Sequence, residues 1–330
     1  MMEIQRRAFT ASALAAIPFL SSALRGQDLA PGNTGVAAAN DPSGHLTIEV
    51  EVNSRGPFRF VVDTGADSSV LADTTAEALG ARQTGTVMLA GIVRTVSAET
   101  VAIESISFGP IWRRGVSLPI VPRPQLLADG YIGLDLLDGY RVILDFEKRR
   151  LIITDPLHTN STVFHDPRLT ELHAQGSGGH LRTAQCRVDR VQVAALIDTG
   201  AESTMGNEAL FHKLLEISPS YASSRTMQLI GLTGGTAIGR VVSVHEVNIG
   251  QISLTGCPIA IADLQVFDIW GLAERPALVI GMNWLRQFSR VEVDYGRKDL
   301  RFQIGRSQLG ITAQSVRSEE IDFHDKGIVA

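Results

Sequence analysis

The chain has 330 residues, 44% of them apolar and 20% charged, with a formal net charge of −5. This length suits two ordinary domains, each apolar enough to bury a core. The mild negative charge and the lack of a basic cluster argue against a nucleic-acid partner. The 31 glycines and the scarcity of helical periods point to an all-β protein with many turns.

Residues 1–26 read as an export signal. Arg6-Arg7 precedes Ala8-Phe9 and an uncharged stretch reaching Ala23-Leu24. The apolar part is too short and too rich in Ala and Ser for a membrane span. Ser21-Ser22-Ala23 offers the small residues that a signal peptidase needs. The twin arginines resemble a bacterial Tat signal, with Gln5 and Thr10 departing from the pattern. A Sec signal or an uncleaved anchor is the alternative. Export makes the mature chain periplasmic or extracellular, with no stable membrane span after cleavage. Residues 27–44 then read as a flexible leader.

Residues 45–153 form the first lobe. Leu46 to Val52 alternates apolar and polar with period two, the mark of a half-buried strand. Asn53 to Pro57 is a turn, and Phe58 to Val62 returns into Asp63-Thr64-Gly65, where glycine allows a sharp turn. Ser68 to Leu71 is extended, and Asp73 to Leu79 is a short helix. Val87 to Val101 folds as a hairpin around Ala90-Gly91. Leu118 to Pro122 is a strand, and Leu134 to Leu137 is a helical turn or two. Residues 154–179, with Pro156, Pro167 and Gly176-Ser177-Gly178-Gly179, read as a linker. Its His158, His165 and His173 read as solvated linker residues, not as a metal site.

Residues 180–304 repeat this order in a second lobe, with a longer hairpin at Met227–Val242 whose tip is Gly234-Gly235. The polar stretch 305–330 reads as a loosely held tail. The duplication is explicit in the residues. Asp-Thr-Gly-Ala occurs at Asp63–Ala66 and again at Asp198–Ala201, each after an apolar run. His45-Leu46 and His180-Leu181 precede the two motifs at the same distance. Tyr131-Ile132-Gly133 is answered by Val279-Ile280-Gly281. Asp145 and Asp294 end matched strands and read as structural. A repeat this long is a duplicated domain, not a solenoid. Two closed β-barrels, each with one short helix and related by a pseudo-twofold axis, are the economical architecture.

Val61 to Leu71, containing Asp63-Thr64-Gly65-Ala66-Asp67, resembles the active-site stretch of retroviral-type aspartic proteases. Asp198-Thr199-Gly200-Ala201-Glu202 is similar but drifts to Met205-Gly206. The apolar-apolar-Gly elements are the second shared signature. With both motifs in one polypeptide, the chain most resembles bacterial retropepsin-like aspartyl proteases with two tandem lobes. The resemblance implies an aspartic endopeptidase acting on extended polypeptides, in which Asp63 and Asp198 share a proton and activate water. It implies that Gly65 and Gly200 offer N–H groups to the carboxylates and that Thr64 and Thr199 bond across to the opposite loop. The hairpins near Gly91 and Gly234-Gly235 would be flaps over the substrate. Ala66, Asp67, Ala201 and Glu202 would border it, although Asp67 and Glu202 read equally well as local caps. One chain would complete its own site as a monomer.

A catalytically inactive duplicated barrel that binds a peptide or an envelope partner is the alternative; two intact acid motifs argue against it. No Gly-x-Ser-x-Gly elbow, His-Glu-x-x-His helix or phosphate-cradling loop occurs, so neither cofactor nor metal is expected. Cys186 and Cys257 leave a disulfide open, since export permits one and their separation is unread.

Overall fold

The computed structural model describes residues 33–37, 39–40, 46–155, 168–177, 180–305 and 328–329. The expected export signal lies outside the described residues, as do His158 and His165 of the expected linker and most of the tail.

The first half runs β1 (Asn33–Ala37), β2 (Ala39–Asn40), β3 (Leu46–Val52), β4 (Arg55–Val62), β5 (Val70–Ala72), α1 (Asp73–Leu79), β6 (Arg82–Ala90) and β7 (Thr95–Phe108). It continues with β8 (Ile111–Val121), α2 (Arg123–Leu126), β9 (Gly130–Ile132), α3 (Leu134–Leu137), β10 (Arg141–Asp145) and β11 (Arg150–Thr154). The second half runs β12 (Leu169–His173), β13 (Gln175–Ser177), β14 (His180–Val188), β15 (Val191–Ile197), β16 (Met205–Gly206), α4 (Glu208–Ile217), β17 (Arg225–Ile230) and β18 (Thr236–Ile249). It ends with β19 (Ile252–Ile261), α5 (Gln265–Ile269), β20 (Ala277–Ile280), α6 (Met282–Leu285), β21 (Arg290–Asp294), β22 (Asp299–Gln303) and, far downstream, β23 (Ile328–Val329). The chain is mostly β, in two sheet-rich lobes built to one plan.

Alternation fixes each lobe. Along β3 the buried residues are those the period-two pattern selects at its exposed end, with Glu49 and Glu51 outward and Val50 and Val52 inward. The first lobe orders its strands β2-β3-β4-β9-β5-β8-β7-β6, and β3 also pairs with β7, joining the two sides of the sheet. The second orders them β13-β14-β15-β20-β16-β19-β18-β17-β23, with β14 pairing β18 in the same way. In both, the strand that leads into Asp-Thr-Gly lies parallel to the strand that ends in the apolar-apolar-Gly element. The interiors are filled by Ile, Val, Leu and Phe. A six-stranded sheet, β1-β11-β10-β21-β22-β12, joins the lobes. At its centre β10 pairs antiparallel with β21, setting Arg141 opposite Asp294.

Three expectations change. The leader and linker are not free of structure: β1 and β12 are the matching outer strands of the joining sheet, and β2 and β13 extend β3 and β14. Their residues carry little strand propensity, so pairing with β11 and β22 decides their state. In the tail, β23 lies parallel to β17, pairing Leu229 with Ile328. The first hairpin, not the second, is the longer: β6 pairs with β7 from Arg82, whereas β17 begins only at Arg225. The ten-residue α4 and the 3-10 turn Pro219–Ala222 take up chain that the seven-residue α1 leaves to the strand.

Cys186 and Cys257 are free and buried. Cys186 lies opposite Ile249, and Cys257 opposite Val244. Five residues of β18 separate those positions, about 17 Å along the strand, too far for a bridge. Burial pushes each thiol up to about 12.

Candidate active site

Each Asp is delivered by a buried strand end. Val61-Val62 and Leu196-Ile197 are buried. The Asp63 N–H donates to the Ile132 carbonyl at 2.9 Å and the Asp198 N–H to that of Ile280 at 3.0 Å. The turns that follow are tied down identically. Ser69 donates from N–H and hydroxyl to Asp135, and its Oγ accepts the Gly133 N–H; Thr204 does the same with Asn283 and Gly281. The Ala66 and Ala201 carbonyls accept the N–H groups of Leu134 and Met282, both at 2.8 Å.

The two turns meet at the lobe boundary. Thr64 Oγ1 donates to the Ile197 carbonyl at 2.9 Å and accepts the Thr199 N–H at 3.1 Å. Thr199 Oγ1 donates to the Val62 carbonyl and accepts the Thr64 N–H at 3.1 Å. The Asp63 and Asp198 carboxyls face each other across the boundary, each packed against the glycine of the opposite turn, and both residues are buried. Gly65 and Gly200 each donate an N–H to the Asp of their own turn at 2.8 Å. Each glycine also faces the opposite acid. A Cβ on Gly65 would lie 2.3 Å from the Asp198 Cγ, and one on Gly200 2.3 Å from an Asp63 carboxyl oxygen. No larger residue fits there.

The two acids are not equivalent. Burial raises both carboxyls above the ordinary range, and the neighbouring Asp198 charge raises Asp63 further. Asp198 is eased downward by the bond from Asp63, by the Gly200 and Ala201 N–H groups and by nearby His180. Both directions favour a pair that keeps one proton between its two carboxyls.

Asp67, at the edge of the first turn, reaches into the other lobe: its Oδ1 lies 2.8 Å from Nε2 of buried His180, which packs on Trp270 at 5.0 Å between ring centres. Glu202, its counterpart, is partly buried.

The two hairpin tips meet each other. Thr233 Oγ1 donates to the Arg94 carbonyl at 2.8 Å, and Arg94 Nε donates to the Thr233 carbonyl at 3.2 Å. Arg94 lies along Gly234 and Gly235, and Gly91 lies against the Thr233 side chain. Gln265 Nε2 donates to Thr95 Oγ1 at 2.7 Å. Ile92 and Val93 of the first hairpin pack on the second lobe's apolar cluster around Leu196, Met205 and Trp270. Leu232 of the second packs on the first lobe's cluster around Val61, Val121 and Tyr131. Two apolar clusters thus lie beside the strands that lead into the acids.

Ser69, Asp135, Thr204, Asn283 and His180 are site residues that the sequence motifs alone do not mark. The first four could have been found, since Asp135 and Asn283 stand two residues after the matched glycines.

Two duplicated β lobes that join one Asp-Thr-Gly turn each into a single acid pair have the architecture of an aspartic peptidase. The aspartyl protease family matches residues 48–136 and again 184–284, more than half of the chain, and the chain belongs to that family. No curated protein matches it.

Proposed function

We propose that the chain is an aspartic endopeptidase that cleaves extended polypeptides with Asp63 and Asp198 as the catalytic acids. The observation that carries this reading is the buried acid pair between the lobes, each carboxyl set against the opposite turn's glycine. Peptide hydrolysis without a covalent intermediate needs a base for water and an acid for the carbonyl oxygen. Asp198 takes a proton from water as the water oxygen bonds to the carbonyl carbon. Asp63 gives its proton to the carbonyl oxygen, forming a gem-diol. The diol then collapses: Asp198 passes its proton to the amide nitrogen, the C–N bond breaks, and Asp63 recovers a proton from the diol hydroxyl. The pair ends as it began, so no cofactor enters the cycle.

The remaining roles follow from contacts. Thr64 and Thr199 hold the turns in register, and the Gly65 and Gly200 N–H groups orient the carboxyls. The crossed tips close over the peptide and exclude water. Ala66, Asp67, Ala201 and Glu202 border the bound backbone. The apolar clusters favour bulky apolar side chains on both sides of the cut bond. One chain supplies both acids and works as a monomer, exported to the periplasm or beyond. Incubating the purified chain with a mixed peptide library between pH 3 and 7, and reading products by mass spectrometry, tests this. Cleavage between apolar residues supports it. No cleavage at any pH removes the hydrolase reading, and a charged preference on both sides removes the apolar one.

A further inference from the structure

The outer half of the second hairpin has a third strand that the first hairpin lacks. β18 pairs with β19 only from Arg240 onward. Nearer the tip, residues 227–230 and 236–239 have only each other, from Met227 opposite Gly239 to Ile230 opposite Thr236. A two-stranded ribbon is marginal in water, and this one packs on one face. Leu229 is buried in the second lobe's apolar cluster with Met227 beside it, while Gln228 and the opposed Ile238 are exposed. β23 lies along the outer edge of β17 at this place, pairing Leu229 with Ile328 and Ile230 with Val329 in parallel. Ile230 is the last residue of β17 before the tip. The Gly231 N–H then donates to the Gly235 carbonyl at 3.2 Å, and Thr233 exchanges two hydrogen bonds with Arg94 of the other hairpin. In the first lobe β8 likewise pairs with β7 only from Thr100, but β6 ends its sheet and carries no outer partner among the described residues.

We propose that the outer edge of β17 is a strand-docking surface, filled by the chain's own Ile328–Val329, and that this third strand seats the second hairpin tip against Arg94. An open edge offers a row of N–H and C=O groups and takes an extended segment through main-chain bonds. The occupant must therefore be extended and keep its own N–H groups. Its place decides its effect: it joins the ribbon just where β19 no longer supports β18, and one residue before the tip begins. Without it the outer ribbon frays, and Thr233 meets Arg94 less often. The kinetic consequence rests on the peptidase reading; the docking itself does not.

Two variants test this against the unaltered chain. One deletes residues 328–330. The other keeps the full length and carries Ile328→Pro with Val329→Pro, which removes both N–H donors of β23. Amide hydrogen exchange at 227–230 and 236–239 should quicken about tenfold or more in both variants, with 242–249 unchanged. For a single cleaved peptide, kcat/KM should fall about threefold in both. An unchanged exchange pattern overturns the proposal, as does faster exchange with unchanged kcat/KM in an active enzyme. Faster exchange in the deletion but not in the proline variant also overturns it, because main-chain pairing is then not the means. Exchange that quickens equally along β14 and β15 overturns it too, since the whole lobe has then loosened. If the unaltered protein cleaves nothing, the peptidase reading fails, and hydrogen exchange alone decides whether β17 is the docking edge.

Discussion

Thr64 and Thr199 bond each other's backbone across the lobe boundary, each hydroxyl accepting the other's N–H at 3.1 Å. Both are buried, with no water to replace a lost partner. Thr199→Val keeps the shape but strands the Thr64 N–H and the Val62 carbonyl. Each stranded group costs about 1–3 kcal/mol. Urea unfolding should show a loss of about 2–4 kcal/mol for Thr199→Val and much less for Thr199→Ser, which keeps the hydroxyl. Equal losses would mean that methyl packing, not the hydroxyl, holds the turns.

The raised Asp63 carboxyl makes stability depend on pH with a definite sign. The native state keeps a proton that the unfolded chain releases near the ordinary value of 3.8. That contribution is complete below 3.8 and is lost as pH rises through the higher folded value, by up to about 1.4 kcal/mol per pH unit for one proton. Asp63→Asn removes this slope, so the variant should gain on the wild type as pH is raised from 4 to 7. Asp135 and Asp198, also raised by burial, stay in both proteins, so the variant loses only the Asp63 share of the slope. Urea midpoints across that range check it; a difference that stays constant with pH contradicts it.

Closure of the crossed tips depends on Gly91. A Cβ there would lie 2.2 Å from Thr233 Oγ1 and 3.0 Å from the Thr233 Cβ. Gly91→Ala should therefore lower kcat/KM about tenfold by holding the tips apart. Adding Thr233→Gly clears the colliding atoms and should recover part of the loss. Steady-state kinetics of the two variants decide it: no loss in the first, or no recovery in the second, goes against tip contact as the closing element.

Arg141 and Asp294 are a buried pair across the joining sheet, 2.6 Å apart and directly opposite in register. Asp294 also accepts the Arg297 N–H. Arg141→Met leaves a buried carboxylate without its partner and should cost about 3–5 kcal/mol. Arg141→Met with Asp294→Leu should recover most of that. Calorimetric melting of both variants checks the order; a double variant no better than the single would point to packing instead.

What was legible in the residues was local or repeated. The strand-turn-strand around Asp63 needs only an apolar run, a glycine and a second apolar run, and it recurs at Asp198. The helix at Asp73–Leu79 and the hairpin turns near Gly91 and Gly234 follow from short patterns in the same way. β1 and β12 were hidden because Asn33–Ala37 and Leu169–His173 become strands only against β11 and β22. The contact of Asp67 with His180 joins residues from different lobes, and nothing near either residue announces the other.

The most direct test of one shared acid site is kcat/KM against pH for the wild type, Asp63→Asn and Asp198→Asn on a single cleaved peptide. The account predicts a bell-shaped profile for the wild type and a loss of about a thousandfold or more in each variant, one from either lobe. Cleavage by either variant within tenfold of the wild type would contradict it.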